Sequence, residues 1–108
     1  MKLTHLSWQR YRNLVDASLE PHPQLNLFVG GNGQGKTNLL SALYWLATLR
    51  PLQTQRLREL PRWGERETQV EGHVERDELI HRLEVSLEWG KRVSRRENKQ
   101  VSARDYFG

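Results

Sequence analysis

Hydrophobic and polar residues alternate with a period of two in the first part of the chain, which predicts strands with one buried face. The alternation is loose over residues 2–10 and clean over residues 15–20, where Pro21 interrupts it. Residues 25–29 are denser in apolar side chains, which is typical of a strand covered on both faces. We expect the first two strands to form a meander and the third to lead into a glycine-rich loop.

At Asn38 the pattern changes to that of a helix whose apolar residues occupy most of its circumference. Because Asn38, Ser41 and Thr48 mark one narrow polar stripe, the helix is predicted to be largely buried. Pro51 disfavours helical geometry in the residue before it, which predicts that the helix ends at Arg50.

The second half of the chain returns to a period of two. Residues 70–75 and 79–87, with a shorter strand through Val93, are predicted to form an antiparallel meander. Residues 76–78 and 89–91 are the expected turns.

Two short helices are expected as well. Residues 55–60 place their leucines on one side and are closed by Pro61. Residues 101–108 are expected to begin a helix at Ser102 or Asp105.

The four tryptophans differ in their surroundings. Trp8, Trp45 and Trp89 lie in patterned elements, which favours core or half-buried packing over stacking on nucleic-acid bases. Trp63 lies in a basic segment that turns at Gly64, and it is expected to be the exposed one.

Composition excludes several classes of protein. The chain of 108 residues, 36% hydrophobic and 28% charged, suits one soluble domain. It has no long uncharged apolar run and no signal-peptide opening, so a cytoplasmic location without membrane contact is expected. The absence of cysteine rules out disulfides and thiolate zinc sites. The spacing of the four histidines is not that of a metal site; they are His5, His22, His73 and His81.

The net charge of +4 suits a polyanionic partner without requiring one. The basic residues gather in two clusters. The basic connector, residues 50–66, carries Arg50, Arg56, Arg58, Arg62 and Arg66. The second cluster consists of Lys91, Arg92, Arg95, Arg96 and Lys99. Solvated surface and contact with a phosphate backbone are both open readings of each cluster, and Arg56, Arg58 and Arg62 are the candidate DNA contacts.

The sequence Gly-Gly-Asn-Gly-Gln-Gly-Lys-Thr stands between the predicted buried strand and the predicted helix. A glycine, four residues and then Gly-Lys-Thr is the spacing at which backbone N–H groups surround a phosphate. The predicted phosphate-binding residues are Gly30, Gly31, Asn32, Gly33, Gln34, Gly35, Lys36 and Thr37. Lys36 supplies a charge to the outer phosphate oxygens, and the Thr37 hydroxyl is placed to ligate magnesium.

Three segments resemble the RecF family of DNA replication and repair proteins and, more loosely, the ABC-type heads of chromosome-maintenance proteins. They are residues 10–14 (Arg-Tyr-Arg-Asn-Leu), residues 25–30 and residues 30–44. The resemblance is strong over residues 1–49 and weaker beyond. It implies an α/β fold, the P-loop NTPase of ABC/SMC-head type, represented by its N-terminal lobe with a mixed sheet, a P-loop helix and an antiparallel meander.

On this resemblance the chain divides into three parts. Residues 1–49 hold strands, P-loop and helix, residues 50–66 form the connector, and residues 67–108 hold antiparallel strands and the start of a helix.

The resemblance also implies a function. It implies ATP and Mg²⁺ as cofactors and binding of DNA at gaps and at junctions of single and double strands. The processes that the resemblance implies are recombinational repair, replication and the SOS response. It also implies RecR and RecO as partners and an ATP-dependent homodimer of the full-length protein. Arg12, Asn13 and Asn38 become candidate nucleotide contacts.

The chain departs from the family pattern in two ways. Ser41 stands where the family usually carries an acidic residue, and residues 48–56 differ from the usual segment after the helix. The sequence also has no apolar run ending in an acidic pair and no Leu-Ser-Gly-Gly-like signature. In the family these motifs lie far downstream. We therefore expect a lobe that is incomplete at its C-terminus, has no catalytic residues of its own, and positions nucleotide without hydrolysing it.

Two other hypotheses stay open on the sequence. One is a related ABC-type head of a phage-defence or nuclease system. The other is an inert remnant without activity.

Overall fold

The computed structural model describes residues 2–12, 17–19, 33–51 and 56–108. Its elements, in chain order, are β1 (Lys2–Gln9), β2 (Ala17–Leu19), α1 (Gly33–Thr48), a 3₁₀ turn (Leu57–Glu59), β3 (Thr68–Arg76), β4 (Leu79–Glu88), β5 (Lys91–Arg96), β6 (Lys99–Val101) and α2 (Ala103–Phe107). The strand predicted at residues 25–29 lies outside the described residues.

The six described strands form one antiparallel sheet in the order β2-β1-β3-β4-β5-β6. The strands predicted in the second half of the chain are confirmed, as are β1 and the described part of the second strand. The two predicted meanders are confirmed too. The sequence did not indicate that they join, which they do because β1 pairs with β3 in a register that sets Trp8 opposite Val70.

Both predicted hairpin turns are confirmed. At the β3–β4 turn Asp77 and Glu78 have φ values of 52° and 65°, and at the β4–β5 turn Trp89 and Gly90 have 53° and 79°. Positive φ at both central residues produces a turn whose twist matches that of the flanking strands. The turns therefore hold the strands in register.

β6 was not predicted, because its three residues are too few to show an alternation. It pairs with β5 across a turn at Glu97 and Asn98, which also have positive φ, at 54° and 67°. The helix start predicted at Ser102 is confirmed. Its hydroxyl oxygen accepts a hydrogen bond from the backbone N–H of Asp105 at 3.2 Å and so caps α2.

The core lies between one face of the sheet and α1. Its buried residues are Leu6, Trp8, Tyr11, Leu39, Ala42, Trp45, Leu46, Leu49, Leu60, Val70, Val85, Leu87 and Tyr106. Gly72 allows the helix to approach β3 closely, because a Cβ at this position would lie 2.5 Å from Cδ2 of Leu46. The hydroxyl of Tyr106 donates to the backbone carbonyl of Leu46 at 2.5 Å and ties α2 to α1. Burial raises the pKa of Tyr106, so this phenol stays neutral.

Both ends of α1 differ from the prediction. The helix begins at Gly33, five residues before Asn38, because the last residues of the glycine-rich loop form its first turns. It ends at Thr48, two residues before Arg50, where Leu49 adopts a left-handed φ of 61° and its N–H still bonds to Trp45 O at 2.7 Å. α1 has 16 residues, and no helix in the described ranges is long and apolar enough to cross a membrane.

The prediction that α1 is largely buried is wrong for one of its sides. Leu40 and Tyr44 are 52% and 41% exposed, whereas the polar Asn38 and Ser41 are 4% and 0% exposed. Asn38 and Ser41 face the segment after β1, where Arg12 and Tyr11 are their hydrogen-bond partners. A periodic pattern shows which residues share a face and does not show which face meets the sheet.

The tryptophan predictions hold in three cases of four. Trp8 and Trp45 are buried and Trp63 is 96% exposed, as predicted. The prediction for Trp89 is wrong, since this side chain is 79% exposed. Trp89 occupies the β4–β5 turn, so its side chain stands at the end of the hairpin and is not packed on a sheet face.

Candidate phosphate-binding loop and basic connector

The end of the glycine-rich loop forms the N-terminus of α1, which begins at Gly33. The first N–H groups of a helix have no partner within the helix, and the helix dipole makes this end positive. The first turn of α1 contains no acidic residue that would repel an anion. This end of α1 therefore suits a phosphate group, which is the ligand that the glycine-rich spacing predicts.

The individual loop contacts stay predictions. Residues 30–32 lie outside the described part of the chain, and for residues 33–37 the description covers only the backbone. That backbone sets Lys36 and Thr37 in the first two turns of α1. A phosphate contact by Lys36 and a magnesium contact by Thr37 are compatible with this position.

Arg12 connects α1 with the basic connector. Its Nε donates to Oδ1 of Asn38 at 3.0 Å, and its Nη1 donates to the backbone carbonyl of Glu59 at 2.9 Å. Asn38 directly follows Thr37 in the chain. The guanidinium therefore holds a positive charge beside the start of α1. The nucleotide contacts of Arg12 and Asn38 stay predictions, and Asn13 lies outside the described residues.

Tyr11 anchors α1 to the end of β1. It is fully buried, and its ring stacks on Trp45 with centroids 6.1 Å apart. Its hydroxyl shares a hydrogen bond of 2.5 Å with Oγ of Ser41. Burial raises the pKa of Tyr11 to about 12, although the Ser41 bond and the charge of Arg12 act in the opposite direction. The neutral phenol is a packing group, and the Ser41 hydroxyl fits this buried bond.

The basic connector is fixed to the end of β1 by backbone hydrogen bonds. The N–H of Arg12 donates to the carbonyl of Leu60, and the N–H of Arg62 donates to the carbonyl of Arg10, both at 2.8 Å. Leu60 is fully buried. The connector thus has a defined position beside β1, which the sequence pattern did not reveal because the partners are about fifty residues apart in the chain.

The arginines of the connector are mostly exposed. Arg56, Arg58 and Arg66 are exposed, and none forms a side-chain hydrogen bond or ion pair within the described residues. Arg62 is partly buried. Exposed cations without internal partners are available to an external anion. The DNA contacts of Arg56, Arg58 and Arg62 stay predictions.

The central arginine of the second cluster is held by carboxylates. Nη1 of Arg95 lies 2.6 Å from Oε2 of Glu84 and 2.9 Å from Oε2 of Glu88. The bond from Arg95 lowers the pKa of Glu88, and the two carboxylates raise the pKa of Arg95. This arginine is part of the sheet surface.

The flanking arginines of the second cluster also bond within the chain. Arg92 donates to the carbonyl of Leu49 at 3.0 Å and so caps the end of α1, and Arg96 donates to the carbonyl of Asp105 at 3.3 Å. Three arginines that resemble a polyanion site in the sequence therefore hold elements of the fold together.

The face of the sheet that points away from α1 carries a polar network around two histidines. The rings of His5 and His73 lie 4.7 Å apart, and His73 Nε2 lies 3.6 Å from a carboxylate oxygen of Glu71. Nε of Arg82 lies 2.8 Å from the same oxygen. Within the described ranges no group of three or more His, Asp or Glu side chains is placed to hold a metal ion.

Comparison with known proteins gives consistent matches. No family model matches the chain. Over its whole length the chain is 38% identical to the DNA replication and repair protein RecF of Geotalea daltonii, 39% to that of Lactococcus lactis and 42% to that of Myxococcus xanthus. The chain spans 29–30% of the length of these relatives.

Solved structures match as well. The "recombination mediator protein RecF-ATPrS in RecFOR pathway" covers 99% of the chain, and the chain covers 30% of it, with a TM-score of 0.82 and 24% identity. The corresponding RecF-ATP structure covers 93% of the chain, and the chain covers 27% of it, with a TM-score of 0.77 and 23% identity. At these identities the likeness shows the fold.

The fold is therefore that of the matching part of the RecF structures, and the predicted fold class is confirmed. Within that class the curated relatives narrow the choice. Along its whole length the chain is similar to part of the RecF protein, and the family resemblance read from residues 1–49 is confirmed.

Proposed function

We propose that the chain is the nucleotide-binding lobe of a RecF-type protein, which binds ATP with Mg²⁺ and binds DNA during recombinational repair and replication. The observation that carries the proposal is the match along the whole chain to proteins named "DNA replication and repair protein RecF". One of the matching structures is of RecF with ATP, which supports ATP as the nucleotide.

The loop at residues 30–37 would hold the phosphates. Its backbone N–H groups and the positive end of α1 face the anion, Lys36 neutralises the outer oxygens, and Thr37 ligates the metal. Mg²⁺ supplies further charge to the terminal phosphates when it is bound. Arg12, fixed by Asn38 and by the connector, adds a cation beside this end of the helix.

The basic connector would hold the DNA backbone through Arg56, Arg58 and Arg62. The connector is hydrogen-bonded to β1, so these cations have a defined place relative to α1. Hydrolysis, ATP-dependent dimerisation, contacts with RecR and RecO and a role in the SOS response belong in this proposal to the whole protein. In this proposal residues 1–49 hold the nucleotide loop, residues 50–66 the DNA contacts, and residues 67–108 four of the six described strands of the supporting sheet.

The test is equilibrium dialysis of labelled ATP with Mg²⁺ against the full chain. Loss of one charge-assisted contact in Lys36→Ala should weaken ATP binding by about tenfold or more. Lys91→Ala removes the same charge from an exposed site on β5 and should bind as the wild type does. Equal retention of ATP by the wild type and Lys36→Ala would show that the proposed site does not work. Circular dichroism checks that each variant is folded.

A further inference from the structure

A second candidate site lies where the β4–β5 turn meets the basic connector. A groove of about 400 Å³ opens there. Among the described residues its lining includes Arg58, Pro61, Arg66, Leu87 and Trp89. The two arginines and Trp89 belong to separate segments of the chain, so only the fold places an exposed tryptophan in one groove with two arginines.

Trp89 does not belong to the hydrophobic core of the described residues. Its indole is 79% exposed, and its backbone has the left-handed φ of 53° that glycine and asparagine adopt more readily. A single exposed apolar side chain is common on protein surfaces and by itself indicates little. The neighbouring cations make this one different.

The charge of the groove favours an anion. Arg58 and Arg66 are exposed and have no side-chain partner within the described ranges. One carboxylate, that of Glu65, also lines the groove. Two cations against one anion, beside an aromatic face, is the combination with which proteins bind single-stranded nucleic acid, through phosphate contacts and base stacking.

We propose that this groove binds an unpaired nucleotide of single-stranded DNA. The base stacks on the indole of Trp89, and Arg58 and Arg66 contact the flanking phosphates. Bases in a duplex are already stacked on their neighbours, so the groove discriminates in favour of single strands. The inference rests on the proposed DNA binding by the connector and adds the class of DNA that this site selects.

The test compares the full chain and three variants by fluorescence anisotropy. The probes are a labelled oligothymidylate, an oligomer of the same length with abasic sites, and a duplex. Trp89→Ala should weaken oligothymidylate binding by about fivefold to a hundredfold, which is the range for loss of one stacked base. Trp89→Phe keeps an aromatic face and should retain most of the affinity. Trp63→Ala is the matched control, because Trp63 is 96% exposed and is not among the described groove residues.

The abasic oligomer and the duplex separate stacking from charge. Trp89→Ala should leave the affinity for both within about twofold of the wild type, because neither offers a free base to stack. Two results would contradict base stacking on Trp89. In one, Trp89→Ala binds oligothymidylate like the wild type; in the other, it loses as much affinity for the abasic oligomer as for oligothymidylate. The proposed function then still stands as long as the wild type binds DNA. A wild type that binds none of the three probes contradicts the proposed function itself.

Other occupants of the groove give distinct results. If a second copy of the chain fills it, sedimentation velocity will show a dimer that Trp89→Ala dissociates, and the proposal is overturned. Thermal melting followed by circular dichroism confirms that each variant is folded. Trp89→Phe shows whether the loss in Trp89→Ala comes from local unfolding, because a variant that retains affinity must have a folded groove.

Discussion

In β5 the guanidinium groups of Arg92, Arg95 and Arg96 all bond to atoms of the same chain. In the basic connector the exposed Arg56 and Arg58 have no such partner within the described residues. The sequence presents both clusters as short runs of positive charge. The structure separates them into arginines that hold the fold and arginines that are available to a ligand.

The reason for the difference is the neighbouring strand. β4 pairs with β5 in a register that sets Glu84 directly opposite Arg95, and Glu88 lies within reach of the same guanidinium. Opposite charges across paired strands stabilise a sheet. Within the described part of the chain no strand of the sheet is paired along the connector, and its backbone bonds at residues 60–62 to residues 10–12, which follow β1. Four predictions test this comparison, from the largest expected effect to the smallest.

The first prediction concerns DNA affinity. Replacing Arg56 and Arg58 together by Gln should weaken DNA binding by about ten- to a hundredfold near 0.1 M salt and reduce the salt slope by nearly two units. Arg92→Gln with Arg96→Gln removes the same charge from the second cluster, where both guanidinium groups bond to backbone carbonyls, and should change affinity far less. Anisotropy titrations over a range of salt concentrations measure both. Equal losses in the two double variants would mean that only net charge matters, and the comparison would fail.

The second prediction concerns Tyr11, to which the connector is bridged at Pro61. Its folded pKa is raised from 10.0 to about 12, so its stabilising effect is complete below pH 10 and is lost as the pH rises towards 12. The free energy of unfolding should fall by up to about 3 kcal/mol once the pH exceeds the folded pKa. Tyr11→Phe should cost about 1 kcal/mol at neutral pH because the Ser41 bond is lost, and it should remove this alkaline decline.

Urea unfolding between neutral pH and pH 12 measures the effect of Tyr11. Tyr106 also has a raised pKa, so the comparison is made in a Tyr106→Phe background. An alkaline decline that is the same with Tyr or Phe at position 11 would show that the phenol is not buried as described.

The third prediction concerns Arg95. Arg95→Ala leaves Glu84 and Glu88 without their shared cation and should lower the free energy of unfolding by about 1 kcal/mol. Arg58→Ala should stay within about 0.5 kcal/mol of the wild type, because no described partner is lost. Urea unfolding at neutral pH measures both variants. A larger loss for Arg58→Ala than for Arg95→Ala would reverse the roles assigned to the two clusters.

The fourth and smallest effect concerns acid. The bond from Arg95 lowers the folded pKa of Glu88, so the stability it supplies is present above the ordinary value of 4.5 and is lost as the pH falls through the folded pKa. Glu88→Gln should therefore flatten the decline of stability with acid. Glu65→Gln, an exposed carboxylate of the connector, serves as the control in the same urea titrations. An unchanged acid decline in Glu88→Gln would mean that the Arg95 bond is not formed in solution.

Much of the fold could be predicted because half-buried strands show their period in the sequence. β3 and β4 have nine and ten residues, which is long enough to show the alternation predicted at residues 70–75 and 79–87, and their turn lies at Asp77 and Glu78. β6 has only three residues and was missed. The exposed side of α1 was missed for another reason, because leucine at position 40 has the same character whether or not something covers it.

The candidate sites divide in the same way. The phosphate loop could be predicted because its chemistry depends on residues that are adjacent in the chain. The link from Arg12 to Asn38 and Glu59 could not, since it joins residues 26 and 47 positions apart. The groove at Trp89 could not be predicted either, because the strand pattern favours core or half-buried packing of this side chain.

The sequence by itself therefore determined the strands, the glycine-lysine spacing and the resemblance to the RecF family, because each depends on residues that are close together in the chain. Tertiary structure decided that β1 joins the two meanders, that the arginines of β5 bond within the chain, and that the exposed Trp89 lines one groove with Arg58. The physical reason is that engagement and exposure depend on which distant residues the fold brings within bonding distance. Charge and hydrophobicity along the chain do not specify those neighbours.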